Sequence, residues 1–201
     1  MCYYINLERS AQQIAKRFKA GYIKISDFEA SLIVNGFDHP KLPVILSSEP
    51  DVLQGVEWGL IPTWAKDASF QKNTLNARVE TLKEKASFKG YIHNRCLIPA
   101  HGFYEWQWLD NSGKSKQKYL IKSVNQDLFS FAGIWAPWIN PLTGEAKITC
   151  SILTTKANDL MSEIHNSKQR MPVILSPENE MKWLHRKKID SNIVELIAEK
   201  Y

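Results

Sequence analysis

Cysteine is scarce. The 201 residues carry three, Cys2, Cys96 and Cys150, too few and too scattered for a disulfide framework or a cysteine-held zinc site. A reducing cytoplasm is the expected compartment. No apolar run approaches the length of a membrane span, and the first residues, Met1-Cys2-Tyr3-Tyr4-Ile5-Asn6-Leu7-Glu8, lack the basic and apolar regions of a secretory leader. Export and membrane insertion are not expected. Repeats, low-complexity linkers, glycine-rich phosphate loops and metal-ligand spacings are missing too, so neither a cofactor nor a metal is implied. What remains is an ordinary globular composition, 44% hydrophobic and 23% charged. A chain of this length fits a single domain over residues 1–201, large enough to bury roughly 70% of its unfolded surface. The balance of 26 basic against 21 acidic residues, net +5, permits a polyanionic partner without demanding one.

The most informative stretch is Arg95-Cys-Leu-Ile-Pro-Ala-His-Gly-Phe-Tyr-Glu-Trp106, which reads as strand, turn, strand. Glu105 is a lone acid in its most apolar part. Buried among Phe103, Tyr104 and Trp106, its carboxyl would be held above the usual range and suit proton transfer near neutral pH. Strand alternation allows the opposite, with Glu105 pointing into solvent. Cys2 is the second unusual residue. Removal of Met1 would leave it with a free α-amine of pKa roughly 8 beside a thiol. Such a pair condenses with an aldehyde to an imine and closes to a five-membered thiazolidine. Trp64 follows a Pro-broken loop beside Lys66 and reads as a stacking residue, whereas Trp58 reads as core. Asn76 is a helix cap or a polar site residue, and Arg78 is a phosphate clamp or a surface charge.

Local signals predict a helix over Ala11 to Lys19 behind a Ser10 capping box, and an irregular loop from Gly21 to Pro43 feeding a strand at Val44 to Leu46. A second helix is expected from Val79 to Phe88. Phe103 to Leu109 pairs with Lys118 to Lys122 as a hairpin, and Phe129 to Trp138 faces Ala146 to Thr155 across a turn at Pro141 to Gly144. Ser176-Pro177 opens a helix to about Leu184, and a last amphipathic helix carries Ile193, Leu196 and Ile197. Cys96 and Cys150 read as inert core.

Cys2, Trp58 to Trp64, Asn76 to Thr81, Arg95 to Trp106, Phe131 to Trp135, Ile152 to Asn158, Ile164-His165 and Arg170 to Leu175, taken in order, resemble the SRAP family, the SOS-response-associated peptidases. The resemblance implies an α+β fold whose antiparallel-rich sheet curls into a barrel-like core with helices outside. It implies a monomeric sensor of abasic sites in single-stranded DNA, crosslinked through Cys2 as a thiazolidine after loss of Met1, with an autopeptidase activity. It assigns Cys2, Asn76, Glu105 and His165 as catalytic. Arg78 and Arg170 would bind phosphates, with Trp64 and Thr154 also touching DNA; Lys168, within the stretch after His165, is a further candidate for a phosphate contact. Two departures stand out: Tyr3-Tyr4 replaces the family's Gly-Arg, and the stretch from His165 to Pro172 is three residues longer than His-x-Arg-x-Pro. A cysteine hydrolase with an N-terminal nucleophile and a non-covalent single-strand or modified-base binding module are the competing readings.

Overall fold

The computed structural model describes residues 2–26, 28–185 and 196–201. The first strands are β1 (Tyr4–Leu7), β2 (Tyr22–Lys24), β3 (Ser31–Asn35), β4 (Lys41–Leu46), β5 (Glu49–Trp58) and β6 (Asn76–Arg78). β7 (Arg95–Ala100), β8 (Gly102–Trp108), β9 (Lys116–Ser123), β10 (Phe129–Ile139) and β11 (Ala146–Lys156) follow. The last three are β12 (Arg170–Pro172), β13 (Ile174–Leu175) and β14 (Leu196–Lys200). Three α-helices interrupt them: α1 (Ala11–Phe18), α2 (Asp159–Ile164) and α3 (Pro177–Leu184).

Five strands close on themselves. β5 pairs with β4, β4 with β7, β7 with β10 and β10 with β11, all antiparallel, and β11 returns to β5 in a parallel seam, Glu57 opposite Thr149 and Trp58 opposite Cys150. Closure leaves these strands no open edge. A second sheet, in the order β14-β9-β8-β1-β3, lies beside this barrel. Period-two alternation divides the apolar residues between two clusters. Leu42, Val44, Leu46, Cys96, Ile98, Phe129, Phe131 and Ile152 pack with Cys2, Ile5 and Phe103 from the second sheet. Ile45, Leu97, Ala132, Ile134 and Leu153 pack with Ile14 and Phe18 of α1 and Leu184 of α3. The α+β expectation with an antiparallel-rich, barrel-like core holds.

Helix α1 starts where its capping box places it: Gln13 N donates to Ser10 Oγ, and Ser10 N donates to the Gln13 side chain. Three stretches depart from the sequence reading. The segment from Gly21 to Pro43 carries β2 and β3, edge strands with little apolar alternation to announce them. Val79 to Phe88 forms no α-helix. A 3-10 turn at Val79–Thr81 is followed by separate turns, because Phe88 alone of that run is buried and no continuous apolar stripe exists to seat a helix. Leu196 and Ile197 belong to β14, where the open edge of β9 pairs with them, Leu196 opposite Ser123; Ile193 lies outside the described residues.

Candidate active site

The β1–β8 register sets Tyr4 opposite Tyr104 and Ile5 opposite Phe103. Continued outward, it carries Tyr3 and Cys2 alongside Glu105. On the other side, β6 runs parallel to β11 with Asn76 opposite Ile152, and Asn76 Nδ2 donates to the Cys2 carbonyl at 2.8 Å. Cys2 is fully buried. Burial, and secondly the neighbouring Glu105 carboxylate, push its thiol well above the ordinary range. The sulfur is therefore a thiol at neutral pH, beside an acid.

Glu105 is 4% exposed, which settles the alternation question in favour of burial. The site covers the face that Phe103 and Glu105 share. Burial raises the Glu105 pKa from 4.5 to about 7. His165 caps α2 at its C-terminal end, and its Nε2 lies 4.0 Å from Glu105 Oε2. Its Nδ1 is 2.8 Å from the Arg170 carbonyl, the shorter of its two contacts with that backbone, and so donates there. Nε2 is left as a lone-pair acceptor toward Glu105. Burial lowers the His165 pKa to about 4, well below that of an ordinary imidazole. Between about pH 4 and 7 the pair is an uncharged acid facing an uncharged base.

The longer stretch after His165 closes on itself. Lys168 N and Gln169 N both donate to the His165 carbonyl, and Gln169 adopts a positive φ of 52°. Arg170 is thus returned to His165 despite the added residues. Its guanidinium forms a bidentate pair with Glu80, at 2.7 and 2.9 Å, and donates to the Thr154 carbonyl at 2.8 Å. Thr154 is fully buried and accepts from Arg170 at Oγ1, so it has no surface to offer a DNA strand; it positions the arginine instead. Arg78 is exposed, and its charge is felt at both Glu80 and Tyr3. Lys168 is exposed as well. Trp64 is 55% exposed, its ring edge-on to Phe70 at 5.1 Å.

The structure therefore gathers the buried Cys2, Glu105 and His165 and the half-buried Asn76 into one cluster and sets Arg170 behind it. Glu80 escaped the sequence reading, since its partner lies ninety positions away; the one local signal was an acid two residues beyond Arg78. Among the described residues no three His, Cys, Asp or Glu side chains gather as a metal would require, and no helix is long and apolar enough to cross a membrane.

The profile of the SRAP family, described as SOS response associated peptidase, matches residues 1–201. This chain belongs to the SRAP family. It is 44% identical to the abasic site processing protein YoqW of Bacillus subtilis over 80% of this chain and 69% of that one. It is 34% identical to the abasic site processing protein HMCES of Gallus gallus over 71% of this chain and 50% of that protein. A crystal structure of a Bacteroides thetaiotaomicron protein superposes with a TM-score of 0.87 at 33% identity, covering 99% of this chain and 91% of the other. The SRAP fold expected from the resemblance is the fold observed.

Proposed function

We propose that this protein captures abasic sites in single-stranded DNA as a covalent thiazolidine on Cys2, once Met1 has been removed. One observation carries the reading: the Cys2 carbonyl is gripped by Asn76 at 2.8 Å beside a buried acid, Glu105, whose pKa lies at about 7. The names of the relatives, abasic site processing proteins, support the substrate. In the reaction, the Cys2 amine adds to the aldehyde carbon of the ring-opened sugar to give a carbinolamine. Loss of water, assisted by a proton from Glu105, yields an imine. Sγ then adds to the imine carbon while the thiol proton passes to nitrogen. One water leaves in all, and the raised thiol pKa is no obstacle because no free thiolate is required.

His165 Nε2 takes up the proton that leaves the carbinolamine nitrogen and passes it to the Glu105 carboxylate, which restores the acid, and the same acid and base would assist hydrolysis of the Met1–Cys2 bond in an autopeptidase step. Arg78 and Lys168 supply charge for phosphates, Trp64 supplies a stacking surface, and Arg170 holds His165 and Glu80 in place. In this reading the protein works as a monomer in the cytoplasm, at the nucleoid when bound to DNA. Processed protein mixed with an abasic oligonucleotide should give a slow-migrating band on denaturing electrophoresis. Cys2→Ala should lose that band and keep salt-sensitive binding; a crosslink of undiminished yield in that variant would reject the mechanism.

A further inference from the structure

Beside the Cys2 pocket stands a pair of rings that the proposed chemistry does not use. Tyr3 is half-buried, and its ring centroid lies 4.9 Å from that of Phe37, the planes tilted by 35°. Phe37 is 48% exposed, yet its backbone is tightly held. Gly36 N donates to the Tyr3 carbonyl at 2.8 Å, and Phe37 N donates to Asn35 Oδ1 at 3.1 Å as the cap of a short 3-10 turn. Gly36 itself rests on the buried Trp58 ring, where an added Cβ would sit 3.0 Å from the indole carbons. A large apolar ring is thus displayed to solvent on a rigid mount, one residue away from Cys2 through Tyr3. Burial and Glu105 raise the Tyr3 phenol while Arg78 draws it back, so this ring lies within reach of the acid of the site and of the exposed arginine.

We infer that Tyr3 and Phe37 form a stacking platform for the nucleobase that adjoins the abasic sugar. This rests on the proposed DNA capture and specifies one of its subsites. A sugar that has lost its base leaves its neighbour with one unstacked face, and an exposed ring held at fixed height covers such a face whatever the base. Preorganisation matters because neither ring has to be ordered on binding. The contact is apolar, so it should strengthen binding without altering its response to salt, unlike the arginine contacts.

The test uses single-stranded oligonucleotides with a tetrahydrofuran abasic analogue, which cannot crosslink. In one the neighbouring position carries 2-aminopurine; in the other it is a second tetrahydrofuran on either side. Wild-type protein should bind the base-bearing oligonucleotide roughly 5- to 100-fold more tightly, the range expected for one stacked base, and quench its fluorescence. Phe37→Ala should remove most of that preference and the quenching, with an unchanged slope of affinity against salt. Tyr3→Phe, which keeps the ring, should retain both. Equal preference and quenching in Phe37→Ala would overturn the platform while leaving DNA capture standing. Failure of the wild type to bind either oligonucleotide, or to crosslink a true abasic site, would remove the capture reading and the platform with it. Because Phe37 is half exposed, an unchanged melting temperature for its variant serves as the folding control.

Discussion

Replacing either member of the Glu105–His165 pair should tilt the stability of the protein with pH, in opposite directions. Folding raises Glu105 from 4.5 to about 7 and lowers His165 from 6.5 to about 4. Between pH 4.5 and 6.5 the unfolded chain holds one proton on the imidazole, and the folded chain holds one on the carboxyl. The counts are equal, so the pair gives the wild type no pH slope in that window. In Glu105→Gln only the histidine remains. Its depressed folded pKa makes the unfolded state bind the extra proton, so stability relative to wild type should fall as pH drops from 6.5 toward 4.5. In His165→Gln only the acid remains. Its raised folded pKa makes the native state bind the extra proton, so relative stability should fall as pH rises over the same range. Each slope is about 1.4 kcal/mol per pH unit, or nearly 3 kcal/mol across the window. Urea denaturation of the three proteins at half-unit pH steps measures the differences, with all other titrating groups cancelling. Curves for either variant that run parallel to wild type would refute the assignment of a neutral acid and a neutral base.

Glu105→Gln should also slow crosslink formation in single-turnover experiments while changing affinity for DNA little; an unaltered rate would reject its part in proton transfer. Arg78→Ala should weaken binding across all sequences and reduce the salt slope by about one, with crosslinking at saturating DNA retained, as read by fluorescence anisotropy at several salt concentrations. Glu80→Gln leaves Arg170, whose side chain is 11% exposed, without its charged partner. With Glu80 itself 46% exposed, the loss should be about 1 kcal/mol of stability, seen as a few degrees in melting temperature.

Much of this architecture was written locally. The Ser10 capping box, the hairpin ahead of Lys118, the long hairpin around Pro141 and the strand–turn–strand at Arg95 to Trp106 all depend on residues close in sequence, and all are where they were expected. β2, β3 and β14 were not legible, because each lies at the edge of its sheet and exists only through a neighbour supplied from elsewhere. The site shows the same division. Glu105 was visible as an oddity, but alternation alone could not say which face of β8 would be covered. That depended on the arrival of Cys2 along β1 and of His165 from the end of α2. The roles of Thr154 and Glu80 were hidden for a related reason: both are defined by Arg170, through contacts that no local spacing encodes.

The seam that closes the barrel, Glu57 opposite Thr149, has a consequence for the timing of assembly. Contacts between such distant positions form slowly, because a long loop must be closed before they can reward the chain. His165 is contributed from beyond that seam. A nascent polypeptide emerging from the ribosome therefore leaves the Cys2 thiol open to solvent, and only the finished fold encloses it beside Asn76 and Glu105.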